Sequence, residues 1–416
     1  MSWRLAGAVA LGAVATACTG GSAEPGTRVA AGGVLGCEMA RVPLTVGDDV
    51  FAYIEPENLF RIGSDFLVVG TPGYTWAPGT GADSLPLTVN EHLAARFSFD
   101  GRATLIEPPI DAHIGDVRAV SLGGERWAVL FDEEASRDPS EWGRSRALWY
   151  AEHDGTRWTT VESLPYPPDA SVRAHSSTEL VRMGDGVAWV VPVDLEGGTY
   201  QLLAYRRTAD GWTTEVVSDD AVEVSALAYD PDWGLWLAQF SEDPELPEWQ
   251  QSLRLYRRAE TWELVRRVVM MPEDWKVREP GITIFPAGVT VSWRVESRED
   301  MGAYAMVDVT PEGGGALVAL DPSVWQVEPL SPPDDRPAWL VRHLSEDPPG
   351  VELRLLRAHP EEGVEILAAT APGHPAGLAS LALAPSEALV VGPQVGTDPA
   401  YQYLRSLIIR LSPSCT

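Results

Sequence analysis

The chain has 416 residues, 60 of them acidic and 31 basic, for a net charge of −29. A field this negative excludes nucleic acid and anionic lipid surfaces as partners and permits cationic partners or calcium. With 45% hydrophobic residues and 16 tryptophans, there is ample material for a large core.

Residues 1–17 read as a signal peptide. Arg4 supplies the charged end, and the run "LAGAVALGAVATA" (5–17) is apolar but too short to span a bilayer comfortably. Ala15, Thr16 and Ala17 then precede Cys18. This resembles the lipobox of bacterial lipoproteins, and ordinary signal-peptidase cleavage after the same residues is the alternative. The resemblance implies a diacylated Cys18 and, with Thr19 behind it, a place in the outer membrane of a Gram-negative cell. Residues 18–40 form a tether; six glycines and no aromatic residue lie within 19–36. Cys37 and Cys415 remain, one just before the folded part (41–416) and one at its far end. In an oxidising compartment they read as a disulfide, with a redox or metal pair as the alternative.

From residue 57 onward one phrase recurs. "YAEHDGTRWTTV" (150–161), "YRRTADGWTTEVV" (205–217) and "YRRAETWELVRRV" (256–268) each hold an aromatic-ended strand, a short turn and a second strand opening on Trp158, Trp212 or Trp262. Asp-Gly between two β-rich runs marks a hairpin, and a strand-built period of about 40–55 residues marks propeller blades. With four strands per blade, termed A to D from the axis outward, these hairpins are the C–D pairs. Strand B carries Trp127, Trp189, Trp236, Trp293 or Trp339 in five units. Their spacing predicts packing between neighbouring blades. The fold class is therefore all-β, a β-propeller, with seven four-stranded blades as the count and six or eight left open. Blades run over about 57–108, 115–165, 176–218, 223–270, 281–321, 324–369 and 377–412. The seventh lacks a D strand, and "RVPLTV" (41–46) is its expected donor, closing the ring.

In this topology A–B and C–D links share one end of the ring, and B–C links and blade lead-ins share the other. The predicted B–C links are long: 71–91, 136–142, 241–249, 345–350 and 396–403. They carry Asp138, Asp243, Glu245, Glu248, Asp347 and Asp398, interleaved with Trp76, Trp142, Trp249 and Tyr401. Repeated Asp-Pro steps serve turn chemistry, while carboxylates among aromatics suit a cationic peptide, a protein or a glycan. Near the axis, His113, Arg118, Arg173, His175, Glu223, Arg278, Glu279 and His374 fall at blade lead-ins. Three converging histidines permit zinc, and the acidic loops permit calcium. No compact metal motif is present, and no cofactor is expected.

"LFRIG" (59–63) resembles the "FRIP" motif of sialidases, and that resemblance implies a carboxylate-binding role for Arg61. No nucleophile elbow or phosphate loop accompanies it. Taken together, the signal and the blades resemble lipid-anchored propellers of bacterial envelopes. This favours a non-enzymatic binding or scaffolding lipoprotein. The alternative is a propeller hydrolase or lyase acting on a glycan or peptide through an axial His/Arg/Glu site.

Overall fold

The structure is a computed structural model. It describes strands between Thr27 and Ser412 and, with side chains, residues 58–70, 92–98, 104–112, 114–133, 147–165, 178–195, 200–219, 225–241, 252–267, 280–284 and 288–293. Among the described residues the strands form seven sheets of four or five strands and one two-stranded ribbon. Apart from one parallel strand added at the rim, every pairing is antiparallel. The first sheet runs Ile54–Ile62, Asp65–Pro72, Ala94–Phe97, Ala103–Ile106, and the second Ile114–Gly123, Arg126–Glu134, Ser145–His153, Trp158–Ser163. The fourth runs Val222–Asp230, Gly234–Glu242, Gln251–Arg258, Trp262–Met270. The A strand of each sheet lies beside that of the next, and the A strand of the last (Ala379–Ala384) returns to Ile54–Ile62. The innermost strands thus form a ring, and the fold is a β-propeller.

The ring is closed by Cys37–Pro43, which pairs antiparallel with Arg405–Ser412, matching Cys37 to Ser412 and Val42 to Ile408. The donated strand was expected at 41–46 and begins four residues earlier. In the third sheet the A strand is split: Ala170–Val172 and Val181–Met183 both pair with Gly186–Leu195. In the sixth, Thr27–Arg28, expected within the tether, adds in parallel outside Gly363–Ala369.

Strand B is apolar on both faces because each blade is sandwiched between two others. Val129 and Phe131 join Ile62, Leu67 and Val69 of the first blade, whereas Ala128 and Leu130 join Trp189 and Val191 of the third. Trp127, Trp189 and Trp293 are fully buried and Trp236 nearly so. The expected blade-to-blade packing therefore holds for these four. They are not equivalent, however. Trp127, Trp189 and Trp293 face the preceding blade, while Trp236 packs with Phe240 toward Val289, Val291 and Trp293 of the following one. A large ring fills the seam from either side, so the repeated tryptophan marks the strand and not its register.

The C–D hairpins form as read. Arg207 pairs with Trp212, and Arg258 with Trp262, across tight turns. In the second blade Asp154 Oδ1 accepts hydrogen bonds from Thr156 N (2.8 Å), Arg157 N (2.9 Å) and Thr156 Oγ1 (2.7 Å). These bonds, the Thr156 hydroxyl first, hold its pKa down at about 2.

Candidate functional site

Each A strand begins at the long-link end of the ring and runs to the A–B turn. Most carry a register irregularity, and an acidic residue lies at it in the first, second, fourth and fifth blades; in the third, one lies between the two pieces of the split A strand. Glu57 is skipped between Pro56 and Asn58, Glu223 between Val222 and Val224, and Glu279 between Arg278 and Gly281. Asp116 lies within the irregularity that matches Val117 to Phe131 and Ile114 to Glu133. Glu179 stands just before Val181–Met183, next to Thr178, whose N–H donates to Val190 O. Bulges re-aim side chains and recur beside binding sites.

The described side chains link three of these blades at the axis. Asn58 Oδ1 accepts from the backbone N of Ala119 at 2.8 Å, and Asn58 Nδ2 donates to Glu179 Oε2 at 3.0 Å. One amide on the first blade thereby engages the second and the third. Asn58 and Asp116 are half-buried and Glu179 is exposed. Gly115 is required here, since a Cβ on it would lie 2.5 Å from Asp132 Oδ1.

Arg118 lies in the inner strand of the second blade, half-buried, with Nη1 donating to Val117 O at 2.9 Å. Glu223 and Arg278 lie in inner strands as well, Glu223 at the bulge and Arg278 opposite Arg294. Arg61 does not join them. It is exposed at the far end of Ile54–Ile62, where its Nε donates to Gly63 O at 3.2 Å. It therefore belongs to the opposite end of the ring from the blade lead-ins. His113, Arg173, His175 and His374 lie outside the described residues, as do Trp76, Trp142, Trp249, Tyr401, Asp138, Asp243, Glu245, Glu248, Asp347 and Asp398. Cys18 and Cys415 lie outside them too, and Cys37 heads the closing strand. Among the described residues no group of three or more His, Cys, Asp or Glu is placed to hold a metal ion.

The B–C links differ between blades. Residues 73–93, 135–144, 243–250, 298–303 and 395–404 separate strands B and C in the first, second, fourth, fifth and seventh blades, the first including the short ribbon. The link expected at 345–350 is shorter, because Ala338–Glu346 and Pro349–His359 leave only Asp347 and Pro348 between them.

The opposite end is cross-braced. Gly63 N donates to Gly124 O at 3.0 Å, joining the A–B turns of two blades. Arg96 of the first blade pairs with Asp65 at 2.8 Å and with Glu125 of the second at 3.3 Å; the Glu125 hydrogen bond is the main cause of its raised pKa. Arg207 of the third blade reaches back to Glu162 (2.7 Å) and Glu152 (2.9 Å) of the second. Arg258 of the fourth repeats this on Glu215 of the third, through Nε at 2.9 Å and Nη2 at 2.8 Å. Arg206 shares Glu215. Burial against this network, with Glu152 adding to it, pushes the Tyr150 hydroxyl pKa well up. Burial likewise lowers the pKa of His153, whose ring lies between Trp127 and Trp158 and accepts from Gly155 N. These side chains are committed to holding blades together.

The chain matches no protein-family model and no curated protein. Among solved structures, a protein of unknown function from Dyadobacter fermentans DSM 18053 aligns with a TM-score of 0.49 at 15% identity, covering 72% of this chain and 94% of that one. The WD40 domain of SCAP from fission yeast aligns at 0.40 and 8% identity over 90% and 95% of the two chains. The SapL1 lectin in complex with alpha methyl fucoside aligns at 0.40 and 12% identity over 77% and 98%. Likeness this distant bears on no function, and the fold stands on the strand pairing itself.

The acidic positions were legible in one respect. "ENL" (57–59), "DVR" (116–118), "ELV" (179–181), "EVS" (223–225) and "EPG" (279–281) put an acidic residue in or beside the A strand of five blades. Sequence reasoning singled out Glu223 and Glu279 and passed over Glu57, Asp116 and Glu179.

Proposed function

We propose that this protein is an envelope-anchored, non-enzymatic binding lipoprotein that recognises a cationic peptide or protein segment at the long-link end of its propeller. The observation carrying this reading is the acidic residue in or beside the inner strand of five consecutive blades, in a ring whose long B–C links emerge at one end. A rigid scaffold with long loops at one end and a cross-braced other end offers recognition at the first. Acidic residues on the inner strands of a ring attract cations in a salt-dependent way.

A labelled oligoarginine peptide tests the reading by fluorescence anisotropy at low and high salt. Glu223→Gln with Glu279→Gln should weaken binding, as should charge reversal at Asp243, Glu245 and Glu248. Arg206 and Arg207 would be poor controls, because Arg207 braces two blades and Arg206 shares Glu215 with the Arg258 brace. Arg157, whose side chain is 81% exposed at the opposite end, is the suitable one, and Arg157→Glu should leave binding unchanged. Equal changes at both ends would refute the proposal. Anchoring is tested separately: Cys18→Ser should free the protein from the membrane fraction, and non-reducing peptide mapping should recover Cys37 joined to Cys415.

A further inference from the structure

The outer hairpin of the fourth blade departs from the charge of the rest of the chain. Residues 251–270, "QSLRLYRRAETWELVRRVVM", carry five arginines against two glutamates, in a protein with about two acids per base. The outer strands of the second and third blades, "WTTVES" and "GWTTEVVS", carry no basic residue.

This hairpin also exposes apolar side chains. Leu264 is 54% exposed and Val265 46%, adjacent on the rim. A bulge explains the pair. Leu264 is matched to Tyr256 and Arg266 to Leu255, so Val265 has no residue opposite it. The extra residue reverses the alternation of the strand. Leu264 shares a face with Tyr256, which packs toward the third blade, whereas Arg266 shares one with Leu255, which packs toward the fifth. Arg267, matched to Arg254, returns to the Tyr256 face. The apolar pair is thus followed by one guanidinium on each side of the sheet. Arg257 adds a third, stacked 5.6 Å over Trp236 with its Nε on Trp233 O, on the same side as Arg266. The bulge also interrupts the free edge as a template for an added strand, so recognition here works through side chains.

We propose that the rim of the fourth blade, centred on Leu264, Val265 and Arg266, docks an acidic protein segment that carries large apolar residues. Charge complementarity selects that partner. An acidic sequence is repelled by most of this molecule's surface and attracted here, while the apolar pair supplies the anchor that a purely ionic contact lacks. This surface is separate from the acidic end of the ring and prefers the opposite charge.

The probe is a labelled synthetic peptide alternating Glu and Leu, measured by anisotropy against the purified full chain, with a Lys-for-Glu version as comparison. The Glu–Leu peptide should bind this rim in preference to the Lys–Leu one. Leu264→Asp with Val265→Asp should weaken its binding roughly tenfold, and Arg266→Glu by a similar factor. Val216→Asp, at a 50% exposed site on the outer strand of the third blade, should leave it unchanged. Arg266→Gln provides a milder variant should the reversal fail to fold, and thermal melts separate lost binding from lost structure. No binding of the Glu–Leu peptide would overturn the proposal. So would equal loss in Val216→Asp, or self-association of the chain that the same rim variants abolish.

Discussion

Replacing Gln239 with leucine is expected to stabilise the protein. Gln239 lies in the B strand of the fourth blade, between Ser225 and Arg254 on its neighbouring strands, and is fully buried. Among the described residues, neither its amide nitrogen nor its amide oxygen has a hydrogen-bond partner. Leu235 and Leu237, which alternate onto the same face, pack against Ala188, Val190 and Leu202 of the third blade. A stranded buried amide costs about 1–3 kcal/mol. Leucine of similar volume removes that cost and fills the same seam, for an expected net gain of about 1–2 kcal/mol and a melting temperature higher on the order of 2 °C. Urea unfolding of parent and variant should show a shifted midpoint with an unchanged slope. Gln239→Glu supplies the converse. An unpaired carboxylate in this seam should cost about 3 kcal/mol or more near neutrality. Its folded pKa would be raised above the unfolded one, so the deficit should shrink as pH falls. A leucine variant less stable than the parent by about 1 kcal/mol or more would mean that the amide has a partner, and the reasoning would fail.

Three further outcomes follow from the packing. Hydrogen bonding from Arg258, and then charge from both arginines, depresses the pKa of Glu215; stability from this carboxylate is therefore present above its unfolded pKa and lost as pH falls through the folded one. Acid titration of thermal stability should show that loss in the parent and a flatter profile in Glu215→Gln, with about 1 kcal/mol at stake. Trp212 donates its indole N–H to Glu162 at 3.0 Å whereas the Trp262 indole N–H has no acceptor among the described residues, so Trp212→Phe should cost about 1 kcal/mol more than Trp262→Phe in denaturant melts. A Cβ on Gly186 would lie 2.0 Å from Arg207 O, so Gly186→Ala should force two strands of the third blade apart and cost about 2 kcal/mol or more; Gly124→Ala, strained by its φ of +65° but open around its Cβ, should cost less.

The blades were legible because the information that builds them is local. An aromatic, a turn and a tryptophan specify a C–D hairpin within fifteen or so residues, and Tyr205 and Trp212 form one as read. The closing strand was legible by elimination, since seven repeats left one sheet short and one run without a partner. The facing of Trp236 was not legible, because a tryptophan fits either side of a strand sandwiched between two blades. The bulges escaped for a related reason. An inserted residue in an A strand shows only against the register of its partner, so Glu57 and Asp116 read as ordinary lead-in residues. The Arg–Glu braces join residues about 45 positions apart, and only the three-dimensional offset of one blade against the next identifies which glutamate meets which arginine.

Closure by Cys37–Pro43 on Arg405–Ser412 has a consequence for the order of assembly. Most other strand pairs here join neighbours in sequence and can zip as the chain emerges. This pair joins residues from opposite ends of the fold, so the last sheet stays incomplete until both are available. The entropic cost of that long loop grows only with the logarithm of its length and is modest at equilibrium. Its kinetic weight is larger, because non-local pairing is slow and leaves strand edges bare in the meantime. The seventh blade should therefore be the late-folding clasp of the molecule. Amide exchange during refolding should show protection at 405–412 only after the hairpins of the second to fourth blades are already shielded.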